Sequence, residues 1–218
     1  MIGWKEYKIG DLCNTISETY KSNDDEVILI NTSDVLDGKI LNHIPVPNEN
    51  LKGQFKKTFR MDDILYSEIR PANKRFAFVD IEDTSLYIAS TKLMVLRPNT
   101  EIIEPKFLFA LLSSKNMIAE LQVRAESRSG TFPLITFGAE LAPIKVMVPD
   151  KDIQLRIVSF LEAFQGKLDT NEAINRNLLQ QAESLYNNYL NNSESTAYLE
   201  LNDLADIKGG KDFRKGRF

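Results

Sequence analysis

The chain has 218 residues, 43% of them apolar and 27% charged, with a formal net charge of −4 and a pI near 5.2. That length and apolar content allow one or two ordinary domains with buried cores, while the acidic balance argues against a protein that holds nucleic acid by bulk positive charge. A lone cysteine, Cys13, and a lone histidine, His43, rule out an internal disulfide and a thiolate-rich metal cluster, and they give no support to a Ser/His/Asp or Cys/His catalytic set.

Taken in order, the start Met1-Ile2-Gly3-Trp4-Lys5 lacks a basic region followed by an apolar stretch. No later run approaches the roughly 20 apolar residues that span a bilayer, so a cytoplasmic protein without a membrane partner is expected. Residues 1–150 read as one mixed, strand-rich domain. Val27-Ile28-Leu29-Ile30, Ile64-Leu65-Tyr66, Phe76-Ala77-Phe78-Val79, Leu93-Met94-Val95-Leu96 and Ile144-Lys145-Val146-Met147-Val148 are short apolar or β-branched runs bounded by turn residues. Between Leu51 and Phe76, Lys52, Lys56, Lys57, Arg60, Arg70, Lys74 and Arg75 outnumber Asp62, Asp63 and Glu68, and Arg124 and Arg128 flank a Ser-rich turn. Lys106 to Ala125, opened by Pro105, has near-helical apolar spacing and predicts one helix, or two broken near Ser113-Ser114.

Pro149 and Asp150 close this domain, and Asp152 is the expected N-cap of a long helix over 151–192. Ile157, Leu161, Phe164, Leu168, Asn171, Asn175, Leu178, Ala182, Leu185 and Tyr189 alternate four- and three-residue steps, the pattern of a coiled-coil seam. The seam is roughly 50 Å long at 1.5 Å per residue. No other stretch is long enough to face it, so a second copy of the chain is the expected partner. Asn171 and Asn175 lie symmetrically about the midpoint of 157 and 189, so an antiparallel pair sets each against the other. The same centring faces Leu168 with Leu178 and Phe164 with Ala182. A parallel pair also matches each Asn with itself; the large-to-small pairing of Phe164 with Ala182 favours antiparallel. Residues 193–218 read as a poorly ordered linker and the start of a second repeat, since Leu199-Glu200-Leu201-Asn202-Asp203-Leu204 echoes Tyr7-Lys8-Ile9-Gly10-Asp11-Leu12.

These features together resemble the DNA-specificity (S) subunits of type I restriction-modification systems. The resemblance is carried by Trp4 to Leu12, Asp63 to Pro71, Ser90-Thr91-Lys92-Leu93 through Pro98, Pro105 to Leu112, and Arg128-Ser129-Gly130-Thr131-Phe132-Pro133 through Thr136. Val148-Pro149, Gln154, Ile157, Leu161, Asn171, Asn177 and Leu178 match the spacer that follows a target-recognition domain. It implies an α+β fold, with a strand-rich target-recognition domain and one coiled-coil helix where family members usually carry two of each. The chain therefore resembles a half-subunit. A homodimer would read an interrupted palindrome in double-stranded DNA, with half-sites something over one helical turn apart. The resemblance further implies a non-catalytic chain without a cofactor of its own, docked to methyltransferase and restriction subunits that bind S-adenosylmethionine and ATP.

Within such a domain, Lys and Arg contacts to phosphates position the protein, while Arg, Lys, Asn or Gln at base edges confer preference. The candidates are Arg70, Asn73, Lys74, Arg75, Lys92, Arg124, Arg128, Ser129 and Thr131. Asp63 with Glu68-Ile69-Arg70 matches a metal-dependent nuclease pattern only in part, because Arg70 stands where a lysine is expected, and no metal site is expected. The alternative reading is a coiled-coil interaction module with no DNA role.

Overall fold

The computed structural model describes residues 3–49, 51, 53–128 and 131–192. The chain forms two compact units, one extending to Ala163 and one beginning at Phe164. The expected repeat at 199–204 and the basic tail lie outside the described residues.

Twelve strands are assigned among the described residues: β1 Trp4–Lys8, β2 Cys13–Ile16, β3 Glu26–Ile30, β4 Val35–Leu36, β5 Lys39–Ile40, β6 Val46–Pro47, β7 Phe55–Lys57, β8 Ile64–Ser67, β9 Phe76–Phe78, β10 Tyr87–Ser90, β11 Leu93–Pro98 and β12 Lys145–Pro149. The helices are α1 Ile9–Leu12, α2 Pro105–Leu112, α3 Lys115–Arg128 and α4 Lys151–Asn192. One four-stranded sheet has the order β2-β11-β8-β9, another the order β6-β3-β10-β7. β1 pairs antiparallel with β12, setting Trp4 opposite Pro149.

The central strands are apolar runs rather than alternating ones because both of their faces are buried, and their period of two divides the side chains between two cores. In β11, Leu93 and Val95 enter a core shared with Ile28 and Ile30 of β3 and Ala89 of β10, while Met94 and Leu96 point the other way. In β8, Leu65 joins the first group, and Ile64 and Tyr66 the second. The second core is closed by Phe107, Leu108 and Leu112 of α2, Met117, Leu121 and Ala125 of α3, and Val158 of α4. The β2-β11-β8-β9 sheet is thus a middle layer between the other large sheet and the helices.

The segment expected to be one helix or two resolves into α2 and α3, parted at Ser113-Ser114; Ser113 Oγ donates to the Phe109 carbonyl at 2.8 Å, beside the bond from its own N–H at 2.9 Å. Asp152 lies within the first turn of α4 rather than capping it; the helix opens at Lys151, and Ile153 and Gln154 donate to the Asp150 carbonyl. The opening turns of α4 are clamped to the segment before α2. Buried Gln154 accepts from the Glu104 N–H at 2.8 Å and donates to the carbonyls of Ile102 at 3.1 Å and Pro149 at 2.8 Å. Lys151 pairs with Glu104 at 3.2 Å, and Lys106 pairs with Glu162.

From residue 159 to residue 191 every position of α4 is exposed. Along the seam, Leu161 is 45%, Leu168 56%, Leu178 57% and Leu185 70% exposed. No helix among the described residues is long and apolar enough to cross a membrane.

Candidate nucleic-acid interface

The loop between β8 and β9 gathers the first group of sequence candidates. The hairpin register pairs Tyr66 with Phe76 and Ser67 N–H bonds the Arg75 carbonyl at 2.8 Å, leaving 68–74 to bulge from the sheet end. The loop is stitched on two sides. Glu68 N–H donates to the Lys92 carbonyl at 3.0 Å, Ile135 N–H to the Glu68 carbonyl at 2.8 Å and Arg70 N–H to the Pro133 carbonyl at 3.1 Å, with Ile69 bridged antiparallel to Leu134. The β10–β11 turn, the β8–β9 loop and the 131–135 segment therefore form one continuous surface.

At its outer end the loop makes a tight turn over Pro71–Asn73, flanked by two left-handed residues, Arg70 at φ 45° and Lys74 at φ 53°. Side chains with a Cβ cost on the order of 1 kcal/mol each in that conformation and persist where surroundings hold them. The arrangement exposes Arg70, Asn73 and Lys74. Among the described residues, the Arg70 guanidinium and the Asn73 amide have no protein partner. Lys74 Nζ lies 3.2 Å from Asp37, with both side chains exposed, so a phosphate can compete for it.

Other candidates are engaged by their own chain. Arg75 is half-buried and donates to the carbonyls of Ser33 at 3.1 Å and Val35 at 3.4 Å, tying the loop to the start of β4. Lys92 Nζ lies 3.9 Å from Glu68 and is exposed. The turn that carries it is held by Lys57, whose Nζ donates to the carbonyls of Thr91 at 3.1 Å and Leu93 at 2.7 Å; burial pushes the Lys57 ammonium below the usual lysine range. Arg124 pairs with Glu120 one helical turn back, at 2.6 Å. Arg128 pairs with Glu140 at 3.2 Å. Burial raises the Glu140 carboxyl, but bonds from the Thr136 N–H and hydroxyl together with the Arg128 charge outweigh that and bring it below the ordinary glutamate range. Thr131 is exposed beside these groups, and Ser129 lies outside the described residues.

Two residues that the sequence reading passed over also belong to this surface. Gln122 of α3 reaches the Pro71–Asn73 turn, accepting from the Ala72 N–H at 3.0 Å. Phe132, next to Thr131, is 48% exposed, an aromatic surface beside the Arg70–Pro133 contact. Its place in Thr131-Phe132-Pro133 was visible; the strand-like apposition to 68–70 was not.

The residues considered for chemistry have structural partners. Asp63 is buried, with Arg97 Nε on Oδ1 and Nη2 on Oδ2, both at 2.8 Å, and with the Arg60 N–H on Oδ2 at 2.9 Å. Cys13 is buried, and desolvation pushes its thiol up to about 12, far from a reactive thiolate. His43 meets the Tyr87 hydroxyl at 3.0 Å and the Ile40 carbonyl at 3.2 Å. Among the described residues, no group of three His, Cys, Asp or Glu side chains is placed to hold a metal ion.

Three hydrogen-bonded segments thus form one surface at a sheet end, and in the chain this part is followed by a long helix with an exposed apolar edge. The family described as type I restriction modification DNA specificity domain matches residues 1–180, and the chain belongs to that family. It is similar to the type I restriction enzyme HindI specificity subunit of Haemophilus influenzae, with 43% identity over 191 residues, or 87% of this chain and 41% of that protein. The chain thus spans about two-fifths of the length of that relative. The kinship is to specificity subunits, the non-catalytic components of such systems. The fold matches the HsdS subunit from Thermoanaerobacter tengcongensis with a TM-score of 0.70 at 24% identity, over 85% of this chain and 48% of that one. A chain from a structure on complex assembly and conformational transition of the type I R-M system matches with a TM-score of 0.69 at 24% identity, over 92% of this chain and 52% of that one.

Proposed function

We propose that residues 1–150 form a recognition domain that binds one half of a bipartite duplex DNA target, and that 151–192 act as its spacer and dimerisation helix. Two copies pair through α4 as an antiparallel coiled coil, and the pair reads an interrupted palindrome. The observation that carries this reading is the regular apolar seam of α4, exposed along the helix at Leu161, Leu168, Leu178 and Leu185. A ladder of leucines held in water loses roughly 1 kcal/mol or more per side chain relative to burial, and a second identical helix is its natural cover.

At the sheet end, Arg70 and Asn73 are the readers of base edges, with Lys74, Lys92 and Thr131 as backbone contacts. Arg75, Arg124 and Arg128 act chiefly through the carbonyls and carboxylates that already hold them. Methyltransferase and restriction subunits dock on this chain and carry S-adenosylmethionine and ATP; the chain itself uses no cofactor and works in the cytoplasm. Because the protein is acidic, binding to DNA by the chain alone is weak, and addition of the methyltransferase subunit yields methylation at a bipartite site.

Light scattering on the full chain tests the pairing. Wild type is expected at twice the chain mass, and Leu168→Asp or Leu178→Asp at the mass of one chain. Direction is tested by the double variant Leu168→Glu/Leu178→Lys, whose opposite charges meet only in the antiparallel register and restore the dimer that each single change weakens. A monomeric wild type defeats the pairing, and a methylome without a bipartite motif, measured with an active methyltransferase subunit, defeats the DNA role.

A further inference from the structure

Among the described residues, one side chain from outside the loop hydrogen-bonds the Pro71–Asn73 turn. Within the loop, the N–H groups of Asn73 and Lys74 are taken by the carbonyls of Arg70 and Pro71, and that of Arg70 by Pro133. The Ala72 N–H points away from these acceptors and donates to Gln122 Oε1 at 3.0 Å. The other end of the same amide donates to Glu126 Oε1 at 2.7 Å. A backbone N–H on one side and a carboxylate on the other leave only one orientation for the amide, with its oxygen toward the turn. The segment so held is the one where two left-handed residues, Arg70 and Lys74, bracket a three-residue turn. Such backbone reverts to commoner conformations unless external contacts over-determine it.

We infer that Gln122 is a positioning residue for sequence reading: by accepting from Ala72 it holds the strained turn in the conformation that projects Arg70 and Asn73, and it sets base discrimination without touching DNA. The inference rests on the proposed DNA-facing role of this loop. A phosphate contact from a flexible lysine tolerates a shifted backbone, because charge attraction is broad and weakly directional. A hydrogen-bonded contact to a base edge does not, because its distance and angle are narrow. Loss of the Gln122 bond therefore falls on discrimination more than on overall affinity.

The test uses the full chain assembled with its methyltransferase subunit. Methylation is measured on duplexes carrying the target defined by the wild-type methylome, and on duplexes with one base pair of a half-site replaced. Gln122→Leu is expected to lower the ratio of kcat/KM between target and altered duplex about tenfold. The exchange Gln122→Glu/Glu126→Gln keeps an acceptor for Ala72, lets residue 126 donate where it now accepts, leaves the net charge unchanged, and preserves the ratio. Glu126→Ala removes only the second bond of the amide and changes the ratio by less than about twofold. A wild-type ratio in Gln122→Leu, or an equal loss in the Gln122→Glu/Glu126→Gln exchange, overturns the inference. If Gln122→Leu fails to fold, Gln122→Met is held to the same criterion. A wild type that methylates all duplexes equally refutes the DNA-facing reading and this inference with it, an outcome distinct from a discriminating wild type whose Gln122→Leu variant discriminates as well.

Discussion

Replacing Gln154 by Leu removes the clamp between the start of α4 and the segment before α2 while keeping the side-chain volume nearly constant. Gln154 is 1% exposed and satisfies three backbone groups, the Glu104 N–H and the Ile102 and Pro149 carbonyls. A buried N–H left without an acceptor costs about 1–3 kcal/mol, and a carbonyl with its second lone pair still available costs less. The sum is about 3 kcal/mol, which lowers the thermal midpoint of a domain of this size by roughly 10 °C. Thermal unfolding followed by circular dichroism measures the whole effect. Fluorescence of Trp4, the sole tryptophan, follows the same corner, because its residue pairs with Pro149. A loss below about 0.5 kcal/mol, the range of ordinary surface changes, would refute the view that this amide anchors the helix.

Tyr66 is buried in the sheet-to-helix core, stacked on Phe76, and its hydroxyl has no hydrogen-bond partner among the described residues. Tyr66→Phe is therefore expected to raise stability by about 1 kcal/mol, seen as a higher denaturant midpoint at unchanged slope. Glu140 has a folded-state pKa below the ordinary glutamate range, so the unfolded chain binds more protons as pH falls. The stability it contributes is full above that range and is lost as pH drops through the folded value. The melting temperature of Glu140→Gln should accordingly fall less steeply than that of wild type between about pH 5 and pH 3. Parallel slopes would count against the Thr136 and Arg128 bonds as the cause.

The seam of α4 and the buried strands were legible from residue order because each depends on a short period. Leu93 to Leu96 form a strand buried on both faces, and a continuous apolar run registers that directly. The two-residue strands β4, β5 and β6 are too short to show a period; β4 and β5 pair only with each other across Asp37-Gly38, and β6 is held by pairing with β3. The same limit applied to the recognition surface. Its basic and amide residues are visible in the sequence, yet the sequence does not distinguish Arg70, whose guanidinium has no partner among the described residues, from Arg75, which is spent on the Ser33 and Val35 carbonyls.

Amphipathic period, apolar content and turn chemistry act between near neighbours, so the amino-acid order alone determined that a strand-rich domain is followed by one long helix with a leucine edge. Hydrogen-bond partners such as Gln122 and Ala72, or Gln154 and Glu104, stand 50 residues apart. Which of them meet is decided by the packing of whole layers, since a bond of about 3 Å forms only where two distant backbones have already been brought into place. The long helix was therefore readable in one dimension, and the shape of the β8–β9 loop only in three.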